Sequence, residues 1–222
     1  MNEKPYYIIR ASVANFIQMK IKILILGLLT ISCIANAQIS NEKYLKESIQ
    51  AQEALNAEYA NPDKTPLLPE DMEAFEGLDF YPVNPNLIFE VNIKRTPQAI
   101  PFMMKRTKDE VKYVKYGEVT FEYAGEKHTL NVYQNLDLIA KRPEFNSYLF
   151  LPFTDLTNGE TTYGGGRYLD MEIPEKGATL VLNFNKAYNP LCAYNKKYSC
   201  PIPPQENALN FKVEVGVKKF DH

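Results

Sequence analysis

Tryptophan is absent from the 222-residue chain, and there are only two histidines and three cysteines. Each scarcity removes a class of function. With His128 and His222 as the only imidazoles, neither near a cysteine in sequence, a zinc centre lacks ligands. A Ser-His-Asp triad is disfavoured as well: there is no Gly-x-Ser-x-Gly elbow, and His128 lies in an alternating stretch where an exposed or packed ring is the simpler account. No metal and no cofactor is expected. Basic charge is not in excess, with 25 Lys and Arg against 27 Asp and Glu. That excludes the basic face that holds nucleic acid and the polybasic patch that holds a membrane surface. Without tryptophan, aromatic packing rests on 15 Tyr and 12 Phe.

A long apolar run is also missing. The main one, Ile23 to Ile34, is well short of the roughly 20 residues that span a bilayer. Its setting reads instead as an export signal beginning at Met19. Lys20 and Lys22 give a positive start, and Ala35-Asn36-Ala37 offers small residues before a cleavage site, leaving Gln38 as the mature start. Lipid attachment at Cys33 is the alternative, but Leu29-Thr30-Ile31-Ser32 matches a lipoprotein box poorly. Residues 1–18 read as an extension from a start codon placed too far upstream. The expected product is a periplasmic or extracellular domain over 38–222 with no transmembrane span. It carries 21 basic and 26 acidic residues, a net charge of −5.

Residues 41–60 contain neither Gly nor Pro and place Tyr44, Leu45, Ile49, Ala51, Leu55 and Tyr59 on an approximate helical stripe. Ser40 or Asn41 can cap this amphipathic helix, and Asn61-Pro62 ends it. Prolines 62, 66, 69, 82 and 85 then make 62–86 loop-like, with Phe75, Leu78, Phe80 and Tyr81 pinning it to the core. From Leu87 the period changes to two. Residues 87–93, 119–123 and 129–133 alternate as half-buried strands do, and Ala124-Gly125-Glu126-Lys127 joins the last two as a hairpin. Further strands are predicted near 100–106, 111–116, 147–152, 167–172, 179–185 and 209–217. The fold class is mainly β over 87–220, an antiparallel sandwich or rolled partial barrel with one N-terminal amphipathic helix.

Residues 150–207 are distinct, because glycine, asparagine and tyrosine concentrate there. The segment contains Pro152-Phe153-Thr154-Asp155, Asn158-Gly159-Glu160-Thr161-Thr162-Tyr163 and Gly164-Gly165-Gly166-Arg167-Tyr168-Leu169. It continues with Asn183-Phe184-Asn185-Lys186-Ala187-Tyr188-Asn189-Pro190, Cys192-Ala193-Tyr194 and Cys200-Pro201-Ile202-Pro203-Pro204-Gln205-Glu206-Asn207. These phrases resemble the bacterial and archaeal domain-of-unknown-function family 1684, with weaker agreement reaching back through Phe75-Glu76-Gly77-Leu78 to the helix. The resemblance implies a fold and a site region, without an activity.

Physically, Gly164-Gly165-Gly166 permits a positive φ or a close backbone approach, and equally a bulge or tight corner. The spacing fits neither a P-loop nor a dinucleotide fingerprint. Arg167 could fork onto a carboxylate or phosphate ligand, or pair internally with Asp155, Asp170 or Glu206. Asn183 and Asn185 share one face of a predicted strand, with Leu182 and Phe184 turned to the core. Tyr163, Gly165, Arg167, Asn183, Asn185, Tyr188, Asn189, Tyr194 and Asn207 are the ligand-binding candidates. Asp155 and Glu206 are the candidates for acid–base work. Asp155-x-x-Asn158-x-Glu160 is only a loose likeness of a calcium loop.

Cys192 and Cys200 either form one disulfide, worth about 2–3 kcal/mol by loop closure, or stay as buried thiols. As a nucleophile, Cys192 has no neighbouring histidine. Three functions follow: a binding module for a small polar ligand, a hydrolase using Asp155 and Glu206, or a structural polar network. They are separated by whether these side chains meet at an open pocket or satisfy one another internally.

Overall fold

The computed structural model describes residues 42–175 and 179–221. The expected extension 1–18, the signal 19–37, Cys33, the Gln38 start and the caps Ser40 and Asn41 lie outside the described residues. Helix α1 covers 42–59 and gives way to a turn before Asn61-Pro62. Its stripe is seated by Tyr59, which is 2% exposed and meets the ring of Tyr194 edge-on at 4.8 Å. No helix among the described residues is long and apolar enough to cross a membrane.

Two short helices lie outside the pattern read from sequence. Helix α2, Pro69–Glu73, begins on a proline, whose missing N–H costs nothing at a helix start. Helix α3, Leu136–Lys141, is capped by Asn135, whose side chain accepts from the Leu138 N–H. At five and six residues, neither is long enough to show a 3.6-residue period.

Among the described residues there are eight strands: β1 Ile88–Val91, β2 Ile93–Arg95, β3 Phe102–Lys105, β4 Glu110–Tyr123, β5 Glu126–Asn135, β6 Tyr148–Phe153, β7 Arg167–Glu172 and β8 Leu180–Asn183. One sheet of six strands runs β2-β4-β5-β6-β7, with β3 also on β4, while β1 and β8 form a second sheet of two. Every strand pair is antiparallel. The larger sheet does not close into a barrel. The predicted strands 111–116 and 119–123 are one strand, β4, in which the register slips between Lys115 and Gly117, a bulge at Tyr116. The β4–β5 hairpin turns on Ala124 and Gly125, both at positive φ (52° and 81°), as a two-residue I′ connection requires.

The core lies between the sheets. Val91, Leu180 and Leu182 from the smaller sheet, with Leu87 just before β1, meet Val119, Phe121, Leu130, Val132, Leu149, Leu151, Phe153 and Leu169 from the larger. Leu209, Val213 and Val215 complete this cluster. The opposite face of the large sheet carries Met104, Tyr113, Tyr133, Phe150 and Tyr168. Strand β6 is therefore covered on both sides, and Leu149 to Phe153 are all buried.

The predicted strand 209–217 is not a strand. Its alternation is real, since Val213 and Val215 are fully buried, but no ladder forms along it. Among the described residues its one β bridge is Phe80 with Val217, and another, Thr154 with Ala208, lies just before it. Three of its carbonyls are held instead by a side chain at the centre of the signature segment.

Candidate functional site

Arg167 opens β7 with its side chain turned inward, and the Arg167–Asp155 pair has no exposed side-chain surface on either residue. The guanidinium donates from Nη2 to Asp155 Oδ2 at 2.8 Å and to the Val213 carbonyl at 2.7 Å. From Nη1 it donates to the carbonyls of Val215 at 2.5 Å and Val217 at 3.4 Å. Carbonyls at alternate residues project from one edge of an extended chain, so the planar fork takes the place of a neighbouring strand. Asp155 completes the substitution, since its Oδ1 accepts the Val213 N–H at 3.1 Å together with the Thr157 N–H and hydroxyl at 2.8 and 2.6 Å. Burial pulls the Arg167 pKa down from its ordinary value, and Asp155 opposes that shift. Only the Nε–H of this guanidinium lacks a partner.

Two asparagines act in the same way. Asn207 accepts the Asn131 N–H at 2.8 Å and donates to the Asn131 carbonyl at 2.9 Å and the Pro152 carbonyl at 2.7 Å. It thereby bridges β5 and β6, which pair directly only at Tyr133 and Phe150. Asn185 accepts the Asn84 N–H at 2.7 Å and returns a bond to the Asn84 carbonyl at 3.0 Å. A side-chain amide carries the donor and acceptor of a peptide group, so each reproduces a missing strand neighbour. Asn183 ends β8, caps the turn after it by accepting the Asn185 N–H at 3.1 Å, and donates to Ser48 of α1 at 2.9 Å. Leu182 and Phe184 are both fully buried, as the alternation predicts.

The remaining candidates fall into separate places. Asn189 donates to the Lys218 carbonyl at 2.8 Å and to the Tyr194 hydroxyl at 3.3 Å. Burial raises the Tyr194 pKa to about 12. Tyr163 is half-buried, and its hydroxyl lies 3.7 Å from Cys192 Sγ. Gly165 makes room for that ring, since a Cβ there would stand 2.4 Å from Tyr163 Cε1. Gly166 is fixed twice over, by a φ of +86° and by a Cβ position 2.6 Å from the Phe153 carbonyl. Tyr188 belongs to the outer face of the large sheet. Glu206 is exposed on the turn Gln205–Asn207, while the Asp155 carboxylate is sealed inside. A sealed Asp155 cannot face a substrate beside Glu206, as a catalytic pair must.

The family described as "Protein of unknown function (DUF1684)" matches residues 73–218. The chain belongs to this family. No curated protein matches it. Among solved structures, it is similar to an uncharacterized protein of Haloarcula marismortui determined in solution by NMR, at 26% identity and a TM-score of 0.62. That similarity covers 81% of this chain and 96% of the archaeal one. The matched span contains the whole polar segment, so the internal bonding just described sits inside the part that defines this DUF1684 chain.

Nothing in this DUF1684 domain gathers a metal set: among the described residues, no three His, Cys, Asp or Glu side chains are placed to hold an ion. In the calcium-like stretch, Asn158 accepts the Asp155 N–H at 2.7 Å and Glu160 pairs with Lys212 at 2.8 Å. Those oxygens are already engaged.

One group escaped sequence reasoning, where Asp170 figured only as an internal partner for Arg167. Asp170 projects from the other face of β7, and its Oδ1 accepts the hydroxyls of Tyr148 at 2.6 Å and Tyr188 at 2.7 Å. Crowding by the aromatic face raises its pKa, against the pull of the two phenols. The same crowding raises Tyr188 well above an ordinary tyrosine. The period-two pattern of β7 separates Arg167 from Asp170 by face, which is the signal that could have set them apart.

Proposed function

We propose that residues 152–207 form the internal frame of an exported domain, and that any ligand meets this protein outside that network. The observation that carries this reading is the full burial of Arg167, with all four terminal N–H groups of its guanidinium spent on Asp155 and three main-chain carbonyls. A ligand-binding arginine keeps part of its fork for the ligand. A hydrolase built on Asp155 and Glu206 would need two carboxyl groups facing one substrate, and Asp155 is closed off. The test is a thermal-shift screen of metal ions, sugars, nucleotides and carboxylates on the parent and on Arg167→Lys. The frame reading expects a large drop in melting temperature for the variant and the same ligand-induced shift, if any, in both proteins. A shift seen in the parent and lost in a folded Arg167→Lys would overturn it.

A second reading keeps the small polar ligand but places it elsewhere, and Asp170 favours it. Asp170, whose pKa is raised, is one of the residues around a depression of about 360 Å³ that Glu172, Asn183 and Lys186 also line. Perturbed carboxyls beside open depressions mark binding and acid–base sites. A ligand-induced shift abolished by Asp170→Asn and kept in Lys212→Ala would support it, and a shift indifferent to Asp170 would remove it.

A further inference from the structure

We propose that Cys192 and Cys200 form a thiol–disulfide exchange site whose oxidant is another disulfide. The inference does not rest on the frame reading, because neither thiol takes part in the Arg167 network. Both cysteines are free thiols. The loop between them is held closed before any bond forms. The Cys192 N–H donates to Cys200 Sγ at 3.1 Å. The Cys200 N–H donates to Thr107 Oγ1 at 3.2 Å, and the Cys200 carbonyl accepts the Thr107 N–H at 3.0 Å. A disulfide needs Cβ atoms about 3.8 Å apart, and these bonds already hold the two residues beside each other.

The two thiols are not equivalent. Cys192 is partly exposed and Cys200 is buried, so an incoming disulfide reaches Cys192 first. The Tyr163 hydroxyl, 3.7 Å from Cys192 Sγ, is a donor placed beside the thiolate, and Gly165 gives that ring its room. Its neighbour Cys200 draws the Cys192 pKa down, while that of Cys200 rises. Cys192 is therefore the attacking group and Cys200 the resolving one.

In the first step the Cys192 thiolate attacks one sulfur of the oxidant RSSR. The S–S bond breaks, a mixed disulfide forms, and RS⁻ leaves and takes up the proton lost by Cys192. In the second step Cys200, as its proton departs, attacks the Cys192 sulfur of the mixed disulfide. The second RS⁻ leaves with that proton. The protein has lost two hydrogens and two electrons, and RSSR has become two RSH.

The test uses the full chain carrying Cys33→Ser, reduced and then exposed to oxidised glutathione, with intact mass as the readout. The pair should become lighter by two hydrogens without dimerising, and Cys200→Ser should instead trap one glutathione at Cys192. Cys192→Ser should react at least about 10-fold more slowly, since only a buried thiol remains. Tyr163→Phe should slow adduct formation severalfold in the Cys200→Ser background. Should the buried hydroxyl of Cys200→Ser unfold the protein, as followed by far-UV circular dichroism, Cys200→Ala provides the same trap. Two thiols that persist in the folded parent, a trap variant that stays unmodified while folded, or equal reactivity of both single variants would each overturn the proposal.

Discussion

Arg167 shows what a buried ion pair does when its partner is mostly backbone. Replacing such a pair with apolar groups is often neutral, because two desolvated charges are removed together. Here the exchange cannot be neutral, since the carbonyls of Val213, Val215 and Val217 would keep no donor. Arg167→Met should therefore destabilise by about 3–5 kcal/mol. Adding Asp155→Leu should recover only part of that loss, leaving a deficit of about 2 kcal/mol or more from the orphaned main-chain groups. Urea unfolding of both proteins measures the difference, and full recovery in the double variant would mean that the charges alone mattered. Asp170 gives the opposite case. Its folded pKa lies above the ordinary 3.8, so as pH rises through the interval between the two values the unfolded chain releases its proton first. Stability falls across that window and levels off above it. Asp170→Asn keeps an acceptor for Tyr148 and Tyr188 and loses the charge. It should match the parent at about pH 3 and exceed it at about pH 8 in urea midpoint. The gain should be small, because Asp170 keeps contact with solvent.

The segment 209–217 shows where pattern and structure part company among the elements. Alternation reports which side chains are buried, and Val213 and Val215 are buried as it predicts. It does not report what the peptide groups bond to, and here the carbonyls of Val213, Val215 and Val217 bond to one side chain, Arg167, 46 to 50 residues away. The strands that were legible, such as the β4–β5 hairpin, pair with sequence neighbours through a turn whose residues are themselves diagnostic. Helix α1 was legible because 18 residues carry several turns of periodicity, whereas α2 and α3 carry fewer than two each. This distinction makes a prediction for hydrogen exchange. Lysine has no planar fork, so Arg167→Lys should speed amide exchange across 209–217 while leaving the β4–β5 hairpin protected. Uniform acceleration over the whole domain would show that the segment has no local stability of its own.

For the molecule as a whole, the resemblance carried by residues 152–207 led to the right family, and the count of short strands led to a mainly β fold. The direction in which the polar segment faces was not legible. Glycine, asparagine and arginine look alike in sequence whether they hold a ligand or stand in for a missing strand, and only their three-dimensional partners separate the two. The compartment is a different kind of inference, since it rests on residues 19–37 and on no contact. Cleavage after Ala37 would remove four basic residues and one acidic one, taking the net charge from −2 to −5 and leaving Cys192 and Cys200 as the only thiols. A chain of that composition, released into an oxidising compartment, would meet disulfides readily. Protein recovered from the exported fraction should therefore begin at Gln38 by N-terminal sequencing and carry no lipid mass. A product beginning at Cys33 with an added acyl mass would assign the lipoprotein alternative, and a chain retained in the cytoplasm with residues 19–37 intact would refute export altogether.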